Sequence, residues 1–157
     1  MNNPFSYTIC GPAARGPKPS VAFVLFLLLV FTTGFASTDI EEYDLLIDTV
    51  VARGHITADE LALLLDQEKP PAILDVRFRK EYVAGHIPGA VHIPFNKVRK
   101  RLTEVPSITG QPLVVYCAHG PRAWMARRTL RNKGVKNVIL LKGHWRLWVK
   151  QGHPVES

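Results

Sequence analysis

Apolar positions along this chain follow one long block and then two rhythms. The block comes first: Val21 to Phe31 reads VAFVLFLLLVF, with no polar side chain in it. From Ile40 the rhythm is helical. Ile40, Tyr43, Ile47 and Val50 recur at intervals of three and four, which puts them on one face. Thr38 and Glu41 have capping-box spacing at the start of this helix, and Gly54 ends it. Thr57 and Glu60 repeat the box before Leu61, Leu64 and Leu65, and Lys69-Pro70-Pro71 stops that second helix.

After Pro71 the rhythm changes to short continuous apolar runs. Ala72 to Val76, Ala90 to Ile93, Leu113 to Tyr116 and Val138 to Leu141 predict strands buried on both faces. Between them, Arg79 to Ala84 predicts a helical turn closed at Gly85, and Asn96 to Leu102 a short basic helix. Thr109-Gly110 predicts a turn. Ala123 to Lys133 predicts a longer helix with Gly134 as its cap, and His144 to Lys150 a closing helix ended by Gly152 and Pro154. Strands alternating with helices predict an α/β fold, a parallel sheet covered on both faces.

Composition narrows the class. The chain has 157 residues, 46% hydrophobic and 21% charged, which allows one domain and a short extra segment. It excludes disorder throughout, a collagen-like repeat and a disulfide-dense scaffold. The net charge of +7 is segregated. Residues 37–75 hold two basic side chains against ten acidic ones, whereas residues 76–150 hold 16 basic against two acidic. The later stretch calls for an anionic partner or sits opposite the acidic stretch.

The first apolar block has the form of an address. Residues 1–36 contain no acidic side chain, Arg15 and Lys18 precede the block, and Gly34 and Ala36 are small. This is the pattern of a secretory signal peptide cleaved after Ala36, with Ser37 as the alternative last residue. An uncleaved membrane anchor is the other reading, although Val21 to Ala36 falls short of the roughly 20 residues that span a bilayer. Cleavage leaves no membrane span and places the protein outside the cytoplasm, in a bacterial periplasm by preference. Cys10 leaves with the leader, so Cys117 has no internal disulfide partner. It is a free reactive thiol or a partner for another chain.

Cys117 also has a suggestive setting. LVVYC-AHGPR-AWMARRTL puts it at the carboxyl end of an apolar strand, followed by a loop from Ala118 to Arg122 and a helix. Ligand crevices in open parallel sheets form at such strand ends. The helix start offers unpaired N–H groups, Gly120 lets the backbone curl into an anion nest, and Arg122 adds a fixed charge. A thiolate held there is a nucleophile. A buried cysteine packing at a strand end is the alternative.

Further motifs point to a family. Leu74-Asp75-Val76-Arg77, Glu81-Tyr82, Gly85-His86-Ile87-Pro88-Gly89-Ala90, Ile93-Pro94, Cys117-Ala118-His119-Gly120-Pro121-Arg122, and Gly143, Trp148, Gly152 and Pro154-Val155 together resemble the single-domain rhodaneses, thiosulfate sulfurtransferases. The resemblance covers about residues 55–155. It implies a doubly wound α/β domain, a parallel sheet of about five strands with helices on both faces. The chain then divides into a leader (1–36), a helical extension (37–54) and a rhodanese-like domain (55–157).

The resemblance also implies a chemistry. Cys117 carries sulfur as a persulfide, taken from thiosulfate and passed to cyanide or a thiol, with a sulfur-accepting protein as a further partner class. Ala118, His119, Gly120, Pro121, Arg122 and Ala123 form the substrate loop. No cofactor is implied. Domains of this kind that act on phosphate or arsenate carry a longer loop, usually closing on Arg at the seventh position from Cys; here Arg122 is the sixth. A sulfane-sulfur carrier without turnover is the alternative, with an oxyanion hydrolase or reductase behind it. Two positions depart from the family pattern: Ala123 stands where many relatives carry Ser, and His144 replaces the second Gly of a Gly-Gly pair.

Other polar residues read as support. The resemblance makes Asp75 and Arg77 a structural ion pair behind the site, and His86 the cap of its turn. His119 lies inside the loop and either steadies the anion or faces solvent. Six histidines without a ligand-type spacing give no case for a metal. Trp145 and Trp148, three apart, are packing residues, and Arg99-Lys100-Arg101 is too short a run for a nucleic-acid or membrane patch.

Overall fold

The computed structural model describes residues 38–106 and 111–157. The leader and the Thr109-Gly110 turn lie outside the described residues, as do the side chains of the Thr38/Glu41 box. The chain runs α1 (Thr38–Arg53), β1 (His55–Ile56), α2 (Ala58–Leu65), β2 (Ala72–Asp75), α3 (Arg79–Val83), β3 (Val91–His92), β4 (Leu113–Tyr116), α4 (Pro121–Asn132), β5 (Val138–Leu141) and α5 (His144–Lys150), with a 3-10 turn at Leu102–Glu104. The Thr57/Glu60 capping box closes in both directions at the start of α2. Among the described residues no helix is long and apolar enough to cross a membrane.

Among the described residues the five strands of the sheet pair in parallel, in the order β1-β5-β4-β2-β3. This is the parallel sheet that the alternation predicts and the doubly wound α/β domain that the resemblance implies; against the elements read along the chain, one strand is added and one helix lost. β1 was not foreseen because two residues carry no periodic signal; it forms by pairing with Leu140 and Leu141 of β5. The expected basic helix from Asn96 to Leu102 is a run of turns. Pro94 begins it, Lys97, Arg99, Lys100 and Arg101 repel one another along it, and Val98 is its one buried residue.

Alternation along the strands sorts the core into two layers. Ile73, Val114, Tyr116, Ile139 and Leu141 face one way and pack with Ile47 and Val50 of α1, Leu61 and Leu64 of α2 and Trp148 of α5. Leu74, Leu113, Val115 and Val138 face the other way and pack with Ala123, Ala126 and Leu130 of α4. Cys117 continues the second set, so the strand's own period of two turns its side chain toward the start of α4.

The winding direction reverses between β2 and β4. From β2 the chain moves outward to β3, then returns past β2 to β4 and on to β5. Asp75, the last residue of β2, pairs with Tyr116, the last of β4. The crevice of a doubly wound sheet lies at such a switch point, beyond the strand ends.

A buried ion pair organises that end. Asp75 and Arg77 are both buried. Arg77 Nε and Nη2 donate to the Asp75 carboxylate at 2.8 and 2.6 Å. Nη2 also donates to the Gly85 carbonyl at 2.6 Å, which pins the turn after α3. Asp75→Ala strands the guanidinium without its counter-ion and is expected to cost about 3–5 kcal/mol in chemical denaturation. A loss under about 1 kcal/mol would mean the pair does not organise this end of the sheet.

Candidate active site

Cys117 follows β4 directly, and its side chain is buried. The loop behind it is short because α4 begins at Pro121, whose ring fixes φ for a first helical turn and has no N–H to satisfy. Gly120 has φ +126, a conformation that a residue with a β-carbon rarely adopts. That conformation turns the Gly120 N–H back onto Cys117 Sγ at 3.1 Å. The sulfur thus sits beneath a backbone donor at the start of a twelve-residue helix, where negative charge is favoured.

The rest of the cradle holds this loop in place. The Trp145 N–H donates to the Cys117 carbonyl at 3.0 Å. The Trp145 ring lies over Arg77, 4.2 Å from the guanidinium carbon to the ring centroid, and Tyr116 is 5.5 Å from it on the same measure. Tyr116 accepts the Ile87 N–H through its hydroxyl at 3.1 Å. Burial first, and the Asp75 charge next, push the Tyr116 phenol up, so it stays protonated.

Arg122 does not point its fork at the sulfur. Nη1 and Nη2 bind the two Glu81 carboxylate oxygens at 2.5 and 2.8 Å, and the guanidinium carbon lies 5.0 Å from the Phe78 ring centroid. The arginine therefore clamps α4 to α3 and brings a largely neutralised charge to the loop. These Arg122 hydrogen bonds are the main reason that Glu81 is held down to about 2. Glu81 had been noted only as part of a motif. Its partner is 41 residues away, a separation from which no spacing rule predicts contact.

The remaining loop residues fall into place around the sulfur. Ala118 and Ala123 are buried, and neither brings a hydroxyl; His119 is exposed. His86 belongs to a strap that closes the domain. It exchanges backbone hydrogen bonds with Glu156 at 2.8 and 2.9 Å, and its ring stacks on Tyr82 at 3.8 Å. Nδ1 lies 3.1 Å from the Tyr82 carbonyl. Among the described residues no group of three or more acidic, histidine or cysteine side chains is arranged to hold a metal.

The Rhodanese-like domain family matches residues 57–151, a span that includes the Cys117 loop. The chain belongs to the rhodanese-like family. A sulfurtransferase of Allochromatium vinosum is 28% identical over 100 residues, covering 64% of this chain and 92% of that one. YrkF of Bacillus subtilis, named for a proposed sulfur-carrier role, is 39% identical over 84 residues, covering 54% of this chain and 44% of its own. YqhL of the same organism is 36% identical, covering 48% of this chain and 59% of its own. The chain thus spans about half the length of the two Bacillus relatives. In structure it is similar to the human single-domain sulfurtransferase TSTD1, with TM-score 0.57 and 28% identity, covering 66% of this chain and 98% of that one. A rhodanese-like domain of the Anabaena Alr3790 protein gives TM-score 0.60 at 31% identity, covering 66% and 79%.

The Glu81–Arg122 clamp has a pH signature. Glu81 has a lower pKa folded than unfolded, so its stabilisation is complete above the ordinary carboxylate value. It is lost as the pH falls through about 2. Glu81→Gln should lower stability at pH 7 by about 1 kcal/mol after allowance for solvent screening, with the deficit shrinking below about pH 4. Denaturation at a series of pH values checks this. A deficit independent of pH would assign the loss to packing instead.

Proposed function

We propose that this protein is a sulfurtransferase that moves sulfane sulfur from thiosulfate, through a persulfide on Cys117, to cyanide or a thiol. The observation that carries the reading is the 3.1 Å hydrogen bond from the Gly120 N–H to the buried Cys117 sulfur at the sheet's switch point. In the first half-reaction the Cys117 thiolate attacks the outer sulfur of thiosulfate. An S–S bond forms to Cys117, the bond to the sulfonate sulfur breaks, and its electron pair leaves on sulfite. In the second, cyanide attacks the outer persulfide sulfur, leaves as thiocyanate and restores the thiolate. A thiolate acceptor does the same and leaves as a persulfide.

Both half-reactions keep negative charge at the loop, where backbone donors hold it without reorganising. His119, Pro121 and Arg122 complete the substrate loop, with Arg122 acting through its clamp on Glu81. A second reading has its own support in the likeness to YrkF: a carrier that loads sulfur and hands it to a partner protein, with slow transfer to small acceptors. The basic n-region, apolar block and small residues of 1–36 support export, with the periplasm as the proposed compartment.

Thiocyanate formation from thiosulfate and cyanide tests the reading. Wild-type protein should give parallel double-reciprocal lines, the mark of a ping-pong cycle. Cys117→Ser should abolish turnover with little change in stability. Turnover that survives in the serine variant contradicts the mechanism. Fast sulfur loading with negligible thiocyanate favours the carrier.

A further inference from the structure

His144 bears two costs at one position beside the cysteine loop. Its backbone has φ +53, a left-handed conformation that costs a residue with a β-carbon about 1–2 kcal/mol. Its Nδ1 is buried with no hydrogen-bond partner. Strain and an unpaired polar atom persist where the surroundings enforce them, and they gather at functional sites. The other described non-glycine residue with positive φ is Asn137; asparagine and histidine both adopt it more often than most residues, so at His144 the unpaired buried nitrogen weighs more than the strain does.

The ring is placed against the cradle itself. A β-carbon built on Gly120 would lie 3.1 Å from His144 Nε2 and 3.4 Å from Cδ2, so the Nε2 edge rests on the residue whose N–H holds the Cys117 sulfur. The orphaned nitrogen favours one tautomer. A buried N–H with no acceptor is rarer and worse than a buried bare acceptor, so the ring proton belongs on Nε2, at the loop. Burial, and next the neighbouring His119, hold the imidazole below its ordinary pKa, which keeps it a neutral donor at pH 7.

The loop has few side-chain donors of its own. Between Ala118 and Ala123 only His119 and Arg122 carry side-chain donors. Both terminal nitrogens of Arg122 are taken by Glu81, and His119 is exposed to water. The sulfonate of a thiosulfate whose outer sulfur meets Sγ has to extend away from the buried sulfur, and the His144 edge lies beside Gly120, the residue over that sulfur.

We propose that His144 Nε2–H donates to the oxyanion end of the sulfur donor, and so selects thiosulfate and thiosulfonates over donors without that group, such as polysulfide. The proposal rests on the sulfurtransferase reading above. It adds no step to the half-reactions: the bond to the sulfonate sulfur still breaks with its electron pair on sulfite, and His144 keeps its proton.

Two measurements on the full chain test it. In the first, sulfur loading is followed with thiosulfate and with inorganic polysulfide. His144→Gly, which also relieves the backbone strain, should lower kcat/KM for thiosulfate about ten- to a hundredfold. Polysulfide loading should change less than about threefold, as expected when no hydrogen bond to the donor is lost. His144→Gln, which restores a side-chain N–H, should recover most of the thiosulfate rate. Equal losses with both donors, or no loss with thiosulfate, overturn the inference.

In the second, nitrogen NMR of the imidazoles is recorded on Cys117→Ser protein with thiosulfate added. The His144 ring should be neutral with its proton on Nε2, and that N–H should shift on titration. A proton on Nδ1, or no response to thiosulfate, overturns the inference. This readout holds even if the wild type takes up no sulfur, a result that would count against the sulfurtransferase reading alone.

Discussion

One buried guanidinium connects the elements that place the Cys117 sulfur. Arg77 forks onto Asp75 at the end of β2, donates to the Gly85 carbonyl, and lies beneath Trp145. Trp145 in turn donates its N–H to the Cys117 carbonyl. A charge removed from water must be matched on every side, so each of these contacts is enforced by the burial of the others. The sheet end, the turn after α3 and the start of α5 thereby hold one geometry, and the Cys117 loop rests on it.

The donor described on the Cys117 sulfur belongs to the backbone. Gly120 supplies the N–H on the sulfur, and the two nearest alanines bring no hydroxyl. Residues 76–150 contain two acidic side chains, Glu81 and Glu104, and both are spent on arginines, Arg122 and Arg101. The nearest fixed charge is thus compensated, so in the proposed function anion binding falls to dipoles and N–H groups, which suits a small sulfur anion more than a highly charged polymer. In the proposal above the His144 ring adds one neutral donor to that set, at a position with positive φ.

The fold was largely legible because its signals are local. Leu113 to Tyr116 and Val138 to Leu141 are buried on both faces of the sheet, and their continuous apolar runs state that directly. The two-residue β1 lacked any such signal and exists only through β5. The basic stretch after Pro94 has one buried apolar residue, too few to hold a helix against its own charge. Around the site, Cys117 and the flanking loop stood out from strand, glycine and helix pattern. The contacts that decide what the loop residues do are long-range. Glu81 captures Arg122 across 41 residues, and Gly120 meets the His144 ring across the sheet end. In the sequence His144 stands only as a departure from a glycine pair; its place against Gly120 needs the three-dimensional arrangement.

The central claim is that the sulfur of Cys117 is a covalent sulfur carrier. Mass spectrometry of the intact chain and its Cys117 peptide, after incubation with thiosulfate and without reductant, reads this directly. The account predicts a gain of one sulfur atom on the Cys117 peptide that cyanide removes. An unmodified Cys117 peptide, in protein whose cysteine still reacts with an alkylating reagent, would contradict it.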